Sequence, residues 1–349
     1  MGEVEKLRDE YRKKYAAITE NPETYPTPEP QPVDFKQPAP AAPRPAPSVS
    51  ATGWPFTAAE AQRRQSATGL PKELQLAAGV SKIDLVLIPS GDFIIGAASG
   101  PDDEYPPSSV RITKAFYMSR AEISNSQFRE FDASHDSRTI DIYAKDHTGP
   151  GPSVDHPLQP VVRVSWEEAM AYCAWLSRTT GRRCSLPTEA QWEYACRGGT
   201  ATPLWFGELT NNFAPFANLA DANLRRGLNT AMPWIPAIES VNDGSTITRN
   251  IASGRPNPWG LYDMHGNVAE WTMSLYQNYP YRDNDGRNSI ASSVSGASAQ
   301  RVVRGGSFWD RPHRATSSNR RSYEPWQRVF DVGFRIVIEI ADSELSAQP

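Results

Sequence analysis

The stretch Pro258-Trp-Gly-Leu-Tyr-Asp-Met-His-Gly-Asn-Val-Ala-Glu-Trp271 combines aromatic residues, two glycines and two carboxylates within fourteen residues. Its apolar residues follow neither the period of a helix nor the alternation of a strand. Glycines and short polar residues at this density are typical of a turn with a defined conformation. The sequence therefore predicts a specific loop at 258–271, whose geometry is set by its own side chains.

The two carboxylates of this loop, Asp263 and Glu270, are candidate ligands for a hard cation. A turn at Gly266 would let the main-chain carbonyls between them point toward the same ion, because glycine adopts backbone conformations closed to other residues. The alternative is an ordinary tight turn in which both side chains cap neighbouring backbone amides. The residues alone leave both interpretations open.

The composition and periodicity of the chain predict four segments. Residues 1–20 carry charges of both signs and apolar residues at three- and four-residue spacing, which indicates an amphipathic helix. Residues 21–49 contain ten prolines and predict an extended linker. Residues 50–82 are predicted as a short helical lead-in, in which Thr57 and Glu60 form a capping pattern. The globular domain is predicted at 83–342.

The overall composition limits the classes of function. The 349 residues carry a formal net charge of -4 and a pI near 5.8, which argues against bulk electrostatic binding to nucleic acid. No apolar run approaches the length of a membrane span, and the charged start lacks the apolar core of a signal peptide. Cys173, Cys184 and Cys196 have no metal-type spacing, and the first and last of them are predicted as core residues within helices.

Short capped helices and short strands predict an α+β fold. Three helix starts carry a capping box, at Ser124 with Gln127, Ser165 with Glu168 and Thr188 with Gln191. Strands are predicted as a hairpin over 83–96 and as single elements at 110–118, 301–308 and 332–340. The segment at 200–256 is long and irregular, and such segments are uncommon in compact domains unless specific interactions hold them in place. Bound cations are one kind of interaction that would do so.

Seven stretches, in this order, resemble motifs of the formylglycine-generating-enzyme (sulfatase-modifying-factor) family. They are Leu87-Ile-Pro-Ser-Gly-Asp-Phe-Ile-Ile-Gly96, Glu122-Ile-Ser-Asn-Ser-Gln-Phe128, Pro160-Val-Val-Arg-Val-Ser-Trp-Glu-Glu-Ala169, Leu186-Pro-Thr-Glu-Ala-Gln-Trp-Glu-Tyr-Ala195, the loop at 258–271, Arg304-Gly-Gly-Ser-Phe308 and Gly333-Phe-Arg335. The resemblance covers about residues 83–340. It implies the family's compact α+β architecture, which is related to C-type lectins and has little regular secondary structure.

The resemblance also implies two calcium sites made of oxygen ligands, so that one or two Ca²⁺ ions are the expected cofactors. The first site would use Asn218, the carbonyl of Leu219, Asp243 and the carbonyl of Ser245. The second would use Asp263, the carbonyls of Gly266 and Val268, and Glu270.

The family's oxidases bind copper through two cysteines, three and eight residues beyond the serine of the Gly-Gly-Ser motif. Those positions are Asp310 and Ala315 in this chain, and no cysteine follows Cys196. Soft thiolates are the ligands that suit Cu(I). Copper is therefore not expected, and the oxidation of a sulfatase cysteine to formylglycine is chemically unsupported.

A segment rich in arginine and aromatic residues follows this motif, between residues 309 and 328. Its candidate ligand groove consists of Trp309, Arg311, Arg314, Tyr323 and Trp326. Guanidiniums and aromatic faces together suit anionic or extended ligands, including a peptide. The alternative is that the arginines pair with buried carboxylates and hold the irregular loops, and we expect this of at least half of the five arginines at 311–328.

Three functions remain open at this point. The first, which we prefer, is a non-catalytic, calcium-stabilised domain for recognition or scaffolding, whose partner is a protein or peptide, or alternatively a glycan. The second is an oxidoreductase with a non-thiolate centre near Ser307, Asp310 and His313. The third is a hypervariable binder on a lectin-like fold. Weak calcium sites are common in extracellular modules, which would suit an exported protein whose signal has been removed.

Overall fold

The computed structural model describes residues 49–140, 151–228, 237–290, 300–340 and residue 344. The predicted amino-terminal helix at 1–20 lies outside the described residues, as does nearly all of the predicted linker at 21–49. None of the helices in the described part is both long and apolar enough to cross a membrane.

Five α-helices have their bounds among these residues: α1 (Ala58–Ala67), α2 (Asn125–Arg129), α3 (Trp166–Thr180), α4 (Glu189–Arg197) and α5 (Ala222–Leu228). Capping boxes open α2, α3 and α4, as the sequence predicts. At α1 only half of the box forms, because the carboxylate of Glu60 bonds to Arg63 and Arg64 instead of to the capping residue. α3 ends at Gly181, which has a left-handed backbone. α5 was not predicted.

The strands form three sheets. The strands are β1 (Glu73–Ala78), β2 (Ser81–Ile88), β3 (Gly91–Ile95), β4 (Ser108–Ile112), β5 (Phe116–Ser119), β6 (Cys184–Ser185), β7 (Ala269–Leu275), β8 (Arg301–Arg304), β9 (Arg321–Tyr323), β10 (Val332–Phe334) and β11 (Val337–Glu339). The first sheet has the order β1-β2-β5-β11-β6, the second has the order β10-β7-β8-β9, and the third pairs β3 with β4. Separate short helices and mainly antiparallel strands confirm the α+β class.

Three strand predictions were wrong. The hairpin at 83–96 does not form, because β2 pairs with β1 across a turn at Gly79 and β3 pairs with β4. The segment predicted as a helical lead-in therefore already contains an edge strand of the largest sheet. The single strands at 110–118 and 332–340 are each two strands that belong to different sheets. The loop at 258–271 ends in β7, a central strand.

The five-stranded sheet is buried on both faces. Leu85 and Leu87 of β2 face a cluster with α3 and with strands of the second sheet, whereas Val86 and Ile88 face a cluster with α4 and the third sheet. A strand buried on both sides reads as a continuous apolar run rather than as an alternation. Cys173 and Cys196 are buried in these two clusters, as predicted.

Buried arginine–carboxylate pairs connect the irregular loops to α4. Arg304 of β8 contacts Glu189 at 2.9 Å and Glu193 at 2.8 Å, and all three side chains are fully buried. Arg320 contacts Glu189 at 2.5 Å and also donates to a backbone carbonyl at Asp103, in the turn between β3 and β4. These networks hold the turn at Asp103 and the segment that carries Arg320 against α4.

Candidate functional site

The loop at 258–271 lies directly against the segment at 218–219. Its backbone is left-handed at Asp263, Gly266 and Asn267, with φ values of 53°, 81° and 59°. A Cβ atom at Gly266 would lie 2.1 Å from the carbonyl oxygen of Asn218. The amide of Asn267 donates to that oxygen at 2.8 Å. The two predicted sets of calcium ligands are therefore neighbours in the fold.

In the second predicted set, both carboxylates are already paired with guanidiniums. Glu270 accepts two hydrogen bonds of 2.6 Å from Arg335 and one of 2.7 Å from the indole of Trp192. Asp263 pairs with Arg249 at 3.0 Å. An ion at this position would share both carboxylates with the guanidiniums of Arg335 and Arg249. These two pairs were not predicted from the sequence.

A third buried carboxylate, Glu122, faces this set. Its Oε1 accepts a hydrogen bond of 3.0 Å from Asn267, whereas its Oε2 has no hydrogen-bond partner among the described residues. Burial raises the pKa of Glu122 well above its ordinary value, and the nearby Asp263 and Glu270 add to this effect. In the sequence, Glu122 begins a stretch that resembles a family motif and leads into the start of α2. Its position two residues before a cap gives no local signal of this role.

The first predicted set is also brought together. Asp243 accepts hydrogen bonds from the amide of Leu219 at 3.1 Å and from the amide of Ser245 at 2.8 Å. Burial raises the pKa of Asp243 to about 6, and the neighbouring Asp221 contributes to this rise. Asp243 forms no ion pair with any residue that the structure describes. Asp243 is half-buried, and a carboxylate without an ion-pair partner is the kind of oxygen ligand that calcium takes.

Within the described ranges, no three His, Cys, Asp or Glu side chains are close enough together to hold a metal by themselves. Backbone carbonyls and Asn218 would therefore supply the remaining ligands of the first set. In the second set, the carbonyls of Gly266 and Val268 and the unpartnered oxygen of Glu122 would have that role.

The corner at Gly305-Gly306-Ser307 holds a buried charge network where the family's copper ligands would lie. Asp310 accepts hydrogen bonds from the amide and hydroxyl of Ser307 at 3.0 and 3.1 Å, and it lies 3.2 Å from Arg321. Arg321 also contacts Asp331 at 3.2 Å. Burial acts to lower the pKa of Arg321, but Asp310 and Asp331 outweigh it and hold the pKa above its ordinary value.

Ala315, which stands at the second position of the family's copper-binding cysteines, is buried beside a contact between Cys196 and His265. Nδ1 of His265 donates to the carbonyl of Ala315 at 2.6 Å, and its Nε2 accepts from the amide of Trp205 at 3.0 Å. The Sγ of Cys196 lies 3.7 Å from this Nε2. Burial raises the pKa of Cys196 to about 12 and lowers that of His265 to about 4, so both are neutral. Cys196 therefore does not supply a thiolate here.

The predicted centre of Ser307, Asp310 and His313 is only partly assembled. Ser307 and Asp310 are in contact and buried, but His313 is exposed and forms no hydrogen bond or ion pair with Asp310 in the described structure. The Asp310 side chain turns inward to Arg321, which separates it from His313 at the surface.

The predicted ligand groove is also changed. Trp309 packs edge-on against Phe330 at 6.4 Å, and Tyr323 packs against Trp271 at 6.0 Å. Trp326 is 46% exposed, and no ring contact, cation–π contact or hydrogen bond connects it with the other groove residues in the described ranges. Four of the five arginines in this segment pair with carboxylates: Arg314, Arg320, Arg321 and Arg328. The carboxylates bound by the first three are buried, which confirms the expectation for at least half of the five, whereas Arg328 pairs with the half-buried Glu168. Among the described residues of this segment, Arg311 is the one arginine without a carboxylate partner. Of the predicted ligand groove, Arg311, Arg314 and Trp326 are the residues left for contact with a ligand.

Comparisons with known proteins agree with this architecture. The model of the sulfatase-modifying factor enzyme 1-like domain matches residues 72–340. The formylglycine-generating enzyme of Thermomonospora curvata is 30% identical over 264 residues, which cover 64% of this chain and 82% of that protein. The inactive C-alpha-formylglycine-generating enzyme 2 of Bos taurus is 29% identical over 298 residues, which cover 72% of this chain and 87% of that protein.

Solved structures show the same fold. PvdO from Pseudomonas aeruginosa has a TM-score of 0.61 at 24% identity and covers 78% of this chain and 100% of its own. CarF has a TM-score of 0.50 at 23% identity and covers 74% of this chain and 99% of its own. The predicted formylglycine-generating-enzyme and C-type-lectin-like fold is thereby confirmed. The seven sequence motifs, the matched family model and these folds lead to one conclusion: the chain belongs to the family of sulfatase-modifying factor enzyme 1-like domains.

Proposed function

We propose that this chain is a non-catalytic member of its family, a calcium-stabilised domain that recognises a protein or peptide. The observation that carries the proposal is the buried network of Ser307, Asp310, Arg321 and Asp331. Asp310 of this network stands at one of the two positions where the resemblance implies a copper-binding thiolate, and Ala315 stands at the other. Carboxylates held by a guanidinium offer no soft ligand for Cu(I). The similarity to a relative whose name describes it as inactive supports the same proposal.

Calcium would stabilise the domain through the first ligand set. Asn218, Leu219, Asp243 and Ser245 would hold the ion, which would neutralise the half-buried charge of Asp243. At the second set, Arg249 and Arg335 already neutralise two carboxylates, so an ion there would depend more on carbonyls and on Glu122. The exposed Trp326 and Arg314, together with the half-buried Arg311, would contribute to contact with a partner.

The absence of oxidase activity is the first prediction. The purified chain, loaded with copper under reducing conditions and supplied with oxygen, is expected to form no aldehyde on a cysteine peptide of the sulfatase type. Mass spectrometry after hydroxylamine capture measures the aldehyde. The formylglycine-generating enzyme of Thermomonospora curvata serves as the positive control. Copper-dependent aldehyde above the no-enzyme background would show that the proposal is wrong.

Calcium dependence of thermal stability is the second prediction. The Tm is expected to be higher in calcium than in chelator, because an ion that binds only the folded state stabilises it by about 2.7 kcal/mol at a hundredfold excess over Kd. Asp243→Asn should remove most of this difference, since it removes the charge of the first ligand set. Asp283→Asn, at an exposed position, is the matched control. Equal Tm values of the unmodified protein in calcium and in chelator would contradict the calcium part of the proposal.

A further inference from the structure

The largest sheet ends at β1, an edge strand with one open side. β1 pairs antiparallel with β2, and no strand in the described part of the chain pairs with its other side. An edge strand presents a row of backbone N–H and C=O groups that another strand can bind. Neither the resemblance nor the proposed function uses this edge.

The register with β2 shows which backbone groups of β1 point outward. The amide of Leu87 donates to the carbonyl of Lys72 at 2.9 Å, so these two residues face each other across the strand pair. Every second residue of an antiparallel strand has both backbone groups on the opposite side. Gln75 is such a residue, because the carbonyl of its Cα partner Asp84 accepts from the amide of Arg120 instead. The outward-pointing donors and acceptors are those of Glu73, Gln75 and Ala77.

The edge carries few of the features that keep edge strands apart. Proteins protect such edges with prolines, bulges and charged side chains. β1 contains no proline, and its register with β2 runs without a shift from Glu73 to Ala78. Glu73 is the one charged residue of the strand, and its carboxylate pairs with Arg120. The outward side of β1 is therefore open to another strand.

The sequence of β1 is complementary to itself in an antiparallel arrangement. A twofold axis at Gln75 uses all three outward residues, because it places Gln75 opposite Gln75 of a second copy and Glu73 opposite Ala77 of that copy. In the same register, the half-buried Leu74 lies opposite Leu76 of the second copy. Apolar pairs across two strands are stabilising, whereas like charges directly opposite each other are destabilising. This register provides the first and avoids the second.

An exposed apolar side chain supports the same register. Val80 lies in the turn between β1 and β2 and is 93% exposed, the highest fraction among the large hydrophobic residues that the structure describes. The twofold arrangement brings Val80 beside the half-buried Leu70 of the second copy. Because of the symmetry, this contact would cover apolar surface at both ends of the paired strands.

We propose that β1 pairs antiparallel with β1 of a second copy of this chain, so that two five-stranded sheets join into one continuous sheet across a twofold axis. The backbone groups of the two Gln75 residues bond to each other, and those of Glu73 bond to Ala77 of the second copy. This pairing goes beyond the proposed function, because it uses none of the residues at 307–331 and does not require calcium.

Sedimentation velocity of the full chain over a range of concentrations tests this proposal. The average mass is expected to rise with concentration from 38.6 kDa toward twice that value. Ala77→Pro should weaken dimerisation about tenfold or more, because it removes hydrogen bonds between the two copies and keeps those with β2. Val80→Ser should weaken it about threefold, because an apolar contact is lost at each end. Asp283→Lys, an exposed charge reversal outside β1, should dimerise as the unmodified chain does.

Charges at the twofold axis test the register itself. Gln75→Glu alone and Gln75→Lys alone should each dimerise about fivefold more weakly than the unmodified chain, because like charges then face each other. An equimolar mixture of the two variants should dimerise more tightly than either variant alone, since opposite charges meet at the axis.

Thermal melts establish that each variant is folded before its mass is interpreted. A chain that stays monomeric at every concentration would overturn the proposal. A dimer that Ala77→Pro leaves unchanged, or a mixture of the Gln75 variants that dimerises no better than its components, would overturn it as well. All masses are measured in chelator, so that their outcome is independent of the calcium test of the proposed function.

Discussion

Replacement of Arg304 by methionine is expected to lower the free energy of unfolding by about 3–5 kcal/mol. Arg304 is fully buried between Glu189 and Glu193, so its loss leaves these two buried carboxylates with one guanidinium partner fewer each. It also donates hydrogen bonds to the carbonyls of Ser317 and Asn319, which would lose their donor. Methionine fills much of the same volume, and the effect is therefore one of charge rather than of a cavity.

Urea unfolding measured by circular dichroism checks this expectation. Arg111→Met is the matched control, because Arg111 forms an exposed pair with Asp92 and its removal should leave the free energy of unfolding nearly unchanged. If both variants lost the same small amount of stability, the buried network would not hold the loops. A folded Arg304→Met protein with an unchanged denaturation midpoint would lead to the same conclusion.

The same network makes the free energy of unfolding depend on pH. Burial acts to raise the pKa of Glu189, but Arg320 and Arg304 outweigh it and hold the pKa below its ordinary value. A depressed carboxyl pKa contributes stability that is fully present above the ordinary value and is lost as the pH falls through the folded-state value. The stability of the unmodified chain should thus decline in acid, and this decline should be smaller in Arg304→Met because Glu189 has then lost a partner.

Replacement of Gly266 by alanine is the second large expected effect. The new Cβ would lie 2.1 Å from a backbone oxygen of Asn218, and the φ of 81° is itself unfavourable for alanine. Gly244 has a φ of 89° and no atom within 4 Å of the same Cβ position, so Gly244→Ala isolates the backbone cost of about 1–2 kcal/mol. We expect Gly266→Ala to cost about 1–3 kcal/mol more, because one of two packed backbone segments must move.

Thermal and urea unfolding of both alanine variants, in calcium and in chelator, measure this difference. Gly266→Ala should also reduce the calcium-dependent rise in Tm, because the clash separates Asn218 from the loop. Gly244→Ala should keep most of that rise, since Gly244 has open space around it. Equal stability of the two variants would show that the close approach at Gly266 is not a structural constraint.

The helices were the part of the fold most accessible from the sequence. Capping boxes at Ser124, Ser165 and Thr188 are local patterns, and local hydrogen bonds decide where a helix begins. Strand pairing was less accessible, because β2 has apolar residues toward both faces and its run does not reveal which neighbour it pairs with. The alternation of Glu73–Ala78 did carry a signal, and the sequence analysis assigned it to a lead-in instead.

In the candidate site, too, local motifs could be recognised in the sequence, whereas contacts between distant residues could not. The residues of the first predicted calcium set were named from the resemblance, and the structure places the carboxylate of Asp243 against the amides of Leu219 and Ser245. The pairing of Glu270 with Arg335 could not be predicted, because it joins residues that are 65 positions apart. Only the folded chain determines which buried carboxylate meets which guanidinium.

The buried arginine–carboxylate pairs have a consequence for the surroundings that this protein can tolerate. A guanidinium is covalently attached and stays protonated across the physiological range, so it cannot be stripped away by a chelator or diluted out. We expect a fold that is held together by such pairs to keep its shape in a calcium-poor compartment as well as in a calcium-rich one. A calcium ion from solution would then change the rigidity of the fold rather than decide whether the chain folds.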